Sequence, residues 1–204
     1  MRIIISEFMS LDGVVQAPGG PDEDTDGGFK HGGWSGEFFD PESMQAPISE
    51  VMDRTEALLY GRRTWEVMAS AWPERAGDPY ADQLNAMKKY VVSRTLSAED
   101  ASQRWNNTTL LSGSGKDGDA VDSIRSLRAS GGDGGLLVWG SASLVRQLVE
   151  NDLVDEYQLM VEPILLGGGK TIFPSDGRAR PLELISLTQA KTGVLICAYR
   201  VLTS

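Results

Sequence analysis

Short apolar runs and amphipathic segments alternate along the chain, and most of them end at glycine, proline or charged residues. Runs rich in isoleucine, leucine, valine and aromatic residues predict buried strands. These strands are predicted at residues 2–8, 56–61, 88–93, 108–111 and 136–139. Helices are predicted at residues 41–54, from residue 64, and at 79–87, 119–130 and 140–150. At the first helix, Asp40 is a typical N-cap and Pro41 a typical first residue.

The end of the chain has strand patterns without helices between them. Alternating apolar and polar residues predict a strand at 154–162, and two further strands follow at 182–188 and 194–202. Repeated β–α units predict a mainly parallel sheet that is covered on both faces. The sequence therefore predicts an α/β fold of three layers, α/β/α, with a mixed, mostly parallel central sheet and antiparallel C-terminal strands. Because we find no internal repeat and no linker, residues 1–204 are interpreted as a single domain.

Residues 10–40 are the longest stretch without a strand or helix pattern, and they are rich in glycine and proline. A loop of this length within a compact domain is usually functional or disordered. The aromatic residues Phe29, Trp34, Phe38 and Phe39 argue against disorder. We expect a lid or a pocket wall, in which Trp34 either stacks on a flat substrate or anchors the loop.

Composition and charge argue against several functions. The chain has 204 residues and a formal net charge of −10, which argues against a general nucleic-acid-binding surface but allows one local anion site. No apolar run approaches the roughly 18 residues of a membrane span. Cys197 and His31 are the only residues of their types, which argues against a disulfide framework, a zinc site and a Ser-His-acid triad. We expect a cytoplasmic protein with no membrane or nucleic-acid partner and no bound metal.

Three predicted strands end in residues that suit a phosphate group. Residues 61–64 (Gly-Arg-Arg-Thr) combine a flexible glycine, two guanidinium groups and the predicted start of a helix. Helix N-termini and arginine side chains favour anions, although a surface turn with two solvated arginines has the same pattern. Residues 93–95 and 140–144 follow two other strands with hydroxyls, an arginine and small residues. Because ligands of open α/β sheets bind outside the carboxyl ends of the strands, the three segments together predict a dinucleotide site.

This combination of motifs resembles the dihydrofolate reductase superfamily, and more closely its branch with the reductase domain of riboflavin biosynthesis, the RibD C-terminal domain. Residues 10–13 (Ser-Leu-Asp-Gly) resemble the opening motif of that domain. Residues 61–66 (Gly-Arg-Arg-Thr-Trp-Glu) resemble the Gly-Arg-x-Thr-Trp-Glu of dihydrofolate reductase, and residues 92–96 fit both branches. Residues 153–156 and 163–169 are similar to the late segment of the riboflavin branch. The resemblance covers nearly the whole chain and implies a dihydrofolate reductase-like fold.

The resemblance implies an NADPH-dependent oxidoreductase that acts on a small heterocyclic substrate, like 5-amino-6-(5-phosphoribosylamino)uracil reductase, and that forms a homodimer. It implies that the 2′-phosphate side of NADPH lies near residues 62–64 and 94, the adenosine near 93 and 95, and the pyrophosphate near 140–144. The implied cofactor-binding residues are Gly61, Arg62, Arg63, Thr64, Ser93, Arg94, Thr95, Gly140, Ser141, Ala142, Ser143 and Leu144.

The identity of the substrate stays open at this stage. The riboflavin branch usually has Glu-Gly-Gly where this chain has Trp139, Gly140 and Ser141. None of the acids near the start of the first helix aligns with the carboxylate that holds the pterin in dihydrofolate reductase. A dihydrofolate or pteridine reductase and a non-catalytic NADP(H)-binding protein are therefore alternatives.

Few residues are candidates for contact with the substrate. Asp12 follows the first strand and is the candidate catalytic acid, although Asp-Gly is also a common turn sequence. The candidate substrate-binding residues are Trp34, Glu162 and Gly168. Glu162 is equally consistent with an exposed charge at a strand end, and Gly168 with a turn.

Overall fold

The computed structural model describes residues 1–112 and 120–202, and its centre is an eight-stranded sheet. The strands are β1 (Arg2–Ser10), β2 (Thr55–Gly61), β3 (Lys88–Val92), β4 (Thr108–Leu111), β5 (Gly135–Val138), β6 (Glu156–Glu162), β7 (Leu182–Gln189) and β8 (Leu195–Val201). Their order in the sheet is β4-β3-β2-β5-β1-β6-β8-β7. All neighbours are parallel except β6 with β8 and β7 with β8. The predicted mixed, mostly parallel sheet with antiparallel C-terminal strands is confirmed.

Helices cover both faces of the sheet. They are α1 (Pro41–Asp53), α2 (Arg62–Ala71), α3 (Pro79–Ala86), α4 (Ala98–Arg104), α5 (Val121–Ser130) and α6 (Ala142–Glu150). One face of the sheet packs against α5 and α6, and the other face packs against α1 to α4. Successive residues of β1 point to opposite faces, so Ile3 and Ile5 join one core cluster and Ile4 joins the other. The three-layer prediction is confirmed.

Two helices differ from the sequence prediction. Helix α2 begins at Arg62 rather than at Thr64, because Gly61 is the extended residue immediately before the helix (φ −71°, ψ 154°). Both arginines of this segment therefore lie in the first turn of α2. Helix α4 was not predicted, although Ser97 caps it by accepting a hydrogen bond from the Asp100 N–H at 3.0 Å. The predicted start of α5 at Asp119 lies outside the described residues.

The long segment between β1 and α1 is irregular, with two short 3-10 turns at Asp26–Gly28 and Gly36–Phe38. Its first residues run beside the segment that follows β6. Leu11 N–H donates to Ile164 O and Val15 N–H donates to Lys170 O, both at 2.9 Å. Trp34 is buried, and its indole N–H donates to Gln16 O at 2.8 Å. These contacts agree with a fixed wall rather than with a disordered loop.

A cleft opens in the sheet where β5 ends before its neighbour. The last residue of β5, Val138, pairs with Ile5, whereas β1 continues to Ser10 and pairs only with β6 over that length. The chain after β5 diverges from β1 at Trp139 and enters α6. The cleft thus lies at the carboxyl edge of the parallel strands, the usual position of ligands in such sheets. Within the described residues, none of the helices combines the length and apolarity of a membrane span.

Candidate functional site

A cavity of about 1170 Å³ occupies this carboxyl edge. It extends from the end of β3, across β2, β5 and β1, to β6 and helix α1. Its lining includes every residue of the predicted cofactor set, namely Gly61, Arg62, Arg63, Thr64, Ser93, Arg94, Thr95, Gly140, Ser141, Ala142, Ser143 and Leu144. The three strand-end segments therefore meet at one site, while their role in binding stays a prediction.

Close packing of Gly61 joins two of these segments. The Gly61 N–H donates to Gly140 O at 3.1 Å. A Cβ atom at Gly61 would lie 2.2 Å from Ser141 Oγ and 3.0 Å from the Ser141 backbone N. Gly140 has a positive φ of 73°, a conformation that favours glycine. Glycine at both positions thus allows the starts of α2 and α6 to lie side by side.

Two helix N-termini at the cavity have no side-chain cap. Helix α2 follows Gly61 and helix α6 follows Ser141, and in neither helix does a side chain of the described residues accept from the first-turn N–H groups. The Ser141 hydroxyl instead contacts the Ser143 hydroxyl at 3.0 Å. The first N–H groups of a helix need an acceptor, and their partial positive charge favours an anion. The arrangement suits a pyrophosphate between the two helices.

An ion-pair cluster involves one of the two arginines of α2. Arg63 forms a salt bridge with Asp26, and Lys170 Nζ lies 2.8 Å from the same carboxylate. Hydrogen bonds from Lys170 and Arg63 lower the pKa of Asp26, which stays ionised. Arg62 lies 3.5 Å from Glu66 across one turn of α2. A phosphate at this site would bind Arg62 directly and would compete with Asp26 for Arg63.

The buried acid Glu7 also lines the cavity and was not singled out from the sequence. Its Oε1 atom has no hydrogen-bond partner in the described parts of the chain, residues 1–112 and 120–202. A Cβ atom at Gly140 would lie 3.7 Å from Oε1 and 3.1 Å from Thr64 Oγ1, so these groups surround one point of the cleft. Burial raises the pKa of Glu7 to about 8. The Gly140 backbone acts in the opposite direction, but its effect on the pKa is smaller. The available signal was a charged residue within the apolar run of a central strand, which has to face either a partner or a cavity.

We expect Glu7→Gln to remove part of the pH dependence of stability. The unfolded chain loses this proton near pH 4.5, whereas the folded protein keeps it up to about pH 8. Because the folded state binds the extra proton between these values, the free energy of unfolding falls as pH rises through this window, by up to about 1.4 kcal/mol per pH unit. Glutamine cannot ionise, so Glu7→Gln lacks this slope.

Urea unfolding at a series of pH values measures the effect. Glu162, whose pKa burial raises to about 7, titrates in both proteins, so the difference between the two curves isolates Glu7. The exposed Glu37→Gln is the control and should follow the wild-type curve. Parallel curves for wild type and Glu7→Gln would contradict the assignment.

Asp12 is exposed and lies outside the residues that line the cavity. Its carboxylate accepts from Ser10 Oγ at 2.6 Å, from the Gly167 N–H at 2.7 Å and from the Leu166 N–H at 3.2 Å. These hydrogen bonds, with that of Ser10 the largest, lower the pKa of Asp12 to about 2. Through these hydrogen bonds Asp12 links the loop after β1 to the loop after β6. Its catalytic role stays a prediction.

The candidate substrate-binding residues also lie outside the lining of this cavity. Glu162 is fully buried and accepts from Ser35 Oγ at 2.6 Å, so it is not an exposed strand-end charge. Trp34 is held by its bond to Gln16. Gly168 lies in a second, shallower pocket with Gly167, Gly169 and Phe29. The structure does not bring these three residues to the cleft.

Comparisons with known proteins give the same architecture. A crystal structure of a provisionally named riboflavin biosynthesis protein from Shewanella sp. PV-4 superposes with a TM-score of 0.72, at 22% identity, over 100% of both chains. A pyrimidine reductase-like protein from Corynebacterium diphtheriae superposes with a TM-score of 0.62, at 13% identity, over 100% of this chain and 92% of that one. The sheet and its neighbours thus define a dihydrofolate reductase-like fold.

The sequence comparisons place the chain in a family. The uncharacterized protein YyaP of Bacillus subtilis (strain 168) is 24% identical over 203 residues, which are 97% of this chain and 94% of that protein. The sequence model of the RibD C-terminal domain matches residues 1–196. The chain belongs to the RibD C-terminal domain family, which confirms the predicted resemblance.

Proposed function

We propose that the protein is an NADPH-dependent oxidoreductase that reduces a small heterocyclic substrate. One observation carries the proposal. Two uncapped helix N-termini and the side chains of Arg62 and Arg94 line a single cavity, which continues into an apolar section beside α1. A phosphorylated dinucleotide needs the first section, and a ring that accepts hydride needs the second.

The residues present fit this cofactor. The pyrophosphate would lie against the first N–H groups of α6, where Gly140 and Ser141 leave room for it, and the 2′-phosphate would lie between Arg62 and Arg94. The buried Glu7 Oε1 has no hydrogen-bond partner among the residues that the structure describes, so it is available to a polar group of a ligand in the cleft. When bound, NADPH supplies the hydride.

The protein's own part in such a reaction is to position the reactants and to exclude water. Trp139 directly follows β5 and packs on Tyr60 with ring centroids 6.4 Å apart, so it provides a fixed wall at the middle of the cleft. Glu7 is protonated at neutral pH because burial raises its pKa to about 8. It would therefore donate a hydrogen bond to the ligand and add no negative charge beside the phosphates.

Two measurements test the proposal. Equilibrium titration with NADPH and NADH measures cofactor binding, and loss of NADPH absorbance with a panel of pyrimidines and pterins measures turnover. The panel includes 5-amino-6-(5-phosphoribosylamino)uracil, dihydrofolate and unphosphorylated pyrimidines. We expect NADPH binding in preference to NADH and turnover with at least one heterocycle. The absence of NADPH binding would contradict the proposal.

The same experiment separates the two alternatives. A dihydrofolate reductase is disfavoured because none of Glu37, Asp40 and Glu42 lines the cavity. Instead, Asp40 caps α1, where it accepts from the Glu42 N–H at 3.2 Å. NADPH binding without turnover on any heterocycle would favour the non-catalytic NADP(H)-binding protein.

A homodimer is the remaining part of the proposal, and the edge of the sheet supports it. Strand β7 is exposed along its whole length, and a bulge after Leu184 keeps Leu182, Leu184 and Leu187 on one face. Leu184 and Leu187 expose 51% and 55% of their surface, and Leu195 of β8 extends the same face. An exposed apolar face on an edge strand is typical of a protein–protein interface.

We expect Leu184→Glu with Leu187→Glu to give a monomer at concentrations at which the wild type is a dimer. Two charges on this face would lose their hydration when a second subunit packs on it. Sedimentation equilibrium measures the mass. Thr188→Glu, on the opposite face of the same strand, is the matched control and should stay dimeric. A monomeric wild type, or dimers of unchanged strength in the double variant, would contradict this interface.

A further inference from the structure

The two ends of the cavity differ in charge. The cavity crosses five neighbouring strands in the order β3-β2-β5-β1-β6, and all of them except β5 contribute residues to its lining. At about 4.8 Å between neighbours these strands span ~19 Å. We call the part near Arg62, Arg63 and Arg94 the arginine end. The α1 end consists of Phe8 of β1, Met160 of β6 and the α1 residues Pro41, Gln45, Ile48 and Ser49.

Within the described residues, every cation that lines the cavity either belongs to the arginine end or is linked to it through Asp26. These cations are Arg62, Arg63, Arg94 and Lys170. Lys170 is not available to a ligand at the α1 end, because its Nζ pairs with Asp24 at 2.5 Å and with Asp26 at 2.8 Å, and Asp26 also binds Arg63. Among the described residues that line it, the α1 end therefore has none whose side chain could neutralise a phosphate.

The N-terminus of α1 does not replace such a cation. Pro41, at the first position of the helix, has no N–H to donate. The next N–H, that of Glu42, donates to the Asp40 carboxylate at 3.2 Å. The Ser43 hydroxyl also donates to Asp40 and lowers its pKa, so that the N-terminus already has its own anion. A second anion there would be repelled.

The remaining groups of the α1 end suit a flat ring. Phe8, Ile48 and Met160 give apolar contact, and Trp139 closes the side towards β5. Gln45 and Ser49 offer an amide and a hydroxyl, which can pair with ring N–H and carbonyl groups without adding charge. Apolar walls with a few neutral polar groups are typical of sites for uncharged ligands.

We propose that the α1 end of the cavity binds a flat, uncharged heterocycle that carries no phosphate group. This inference rests on the proposed function, since it names the substrate class of the same reductase. It departs from the phosphoribosyl substrate that the riboflavin branch implies. A phosphate at the α1 end would lose its hydration without gaining a charged partner, which disfavours binding.

A matched pair of ligands tests the inference. 5-Amino-6-ribosylaminouracil and its 5′-phosphate differ only in the phosphate, and calorimetric titration of each into the NADP⁺-loaded and the cofactor-free protein gives their dissociation constants. We expect the unphosphorylated compound to bind at least about tenfold more tightly. Gln45→Arg, which places a cation in the α1 end, should improve binding of the phosphate compound alone.

Arg75 provides the control. It does not line the cavity, but its guanidinium group stacks on Trp72, which does, at 4.9 Å from the ring centroid. We expect Arg75→Ala to leave the preference between the two ligands unchanged. Equal or tighter binding of the phosphate compound by the wild type would overturn the inference, and a loss of that binding in Arg75→Ala would identify Arg75 as its partner. If NADPH binds and neither compound does, the inference fails while the cofactor site stands. If the unphosphorylated compound binds and NADPH does not, the proposed function fails instead.

Discussion

Replacing Arg62 and Arg94 together by alanine should weaken NADPH binding about 100-fold and leave NADH binding nearly unchanged. The two side chains follow neighbouring parallel strands, β2 and β3, and both line the arginine end. A hydrogen bond to a charged group contributes about 1.5 kcal/mol or more to the binding free energy. Removing two of them costs about 3 kcal/mol, which is about a 100-fold loss of affinity. NADH lacks the 2′-phosphate and gains nothing from these contacts.

Titration of both cofactors into the double variant measures the effect. Arg125→Ala is the control, because Arg125 is an exposed arginine on α5 that pairs with Asp122, outside the lining of the cavity. It should bind both cofactors like the wild type. A parallel loss of NADPH and NADH binding in the double variant would mean that these arginines do not recognise the 2′-phosphate.

Gly61→Ala should weaken both cofactors, in contrast to the arginine variant. The added Cβ would lie 2.9 Å from Ser141 Cβ and 3.0 Å from its backbone N, so rotation of the Ser141 hydroxyl cannot relieve the clash. The start of α6 has to move away from the start of α2. Overpacking of this kind costs about 1–3 kcal/mol, and we expect about 10- to 100-fold weaker binding of NADPH and NADH alike.

Gly36→Ala is the matched glycine control. A Cβ at Gly36 would meet no atom within 4 Å. Cofactor titration and thermal unfolding of the two variants separate a local effect from a general loss of stability. Wild-type affinity in Gly61→Ala would show that the contact between the two helix starts does not shape the cofactor site.

The sequence predicted most of the sheet because several of its strands contain runs of buried apolar residues. The run from Ala57 to Tyr60 is buried on both faces, and the structure places it in the centre of the sheet. The meeting of the three strand ends was also predictable, since parallel strands present their carboxyl ends at one edge. The start of α2 was harder to predict, because arginine suits a turn as well as the first turn of a helix.

Contacts between segments that are distant in sequence could not be predicted from local sequence patterns. The pairing of Asp26 with Arg63 joins residues 37 positions apart, and nothing near either residue indicates it. Glu7 was overlooked because the strand was predicted from the apolar residues around it, and that pattern does not show where a single acidic residue points. The missed helix α4 is short, and its signal was the Ser97 cap three residues before Asp100.

The guanidinium group of Arg63 forms a salt bridge with Asp26, and under the proposed function a phosphate of the cofactor would compete for the same group. A cofactor phosphate that bound Arg63 would displace the carboxylate of Asp26. It would thereby remove a contact between the segment before α1 and helix α2. Dinucleotide binding and the position of that segment would then be thermodynamically linked, and such linkage acts equally in both directions. A substrate that favours the displaced position would tighten the cofactor, so that the two reactants would bind cooperatively although they need not touch.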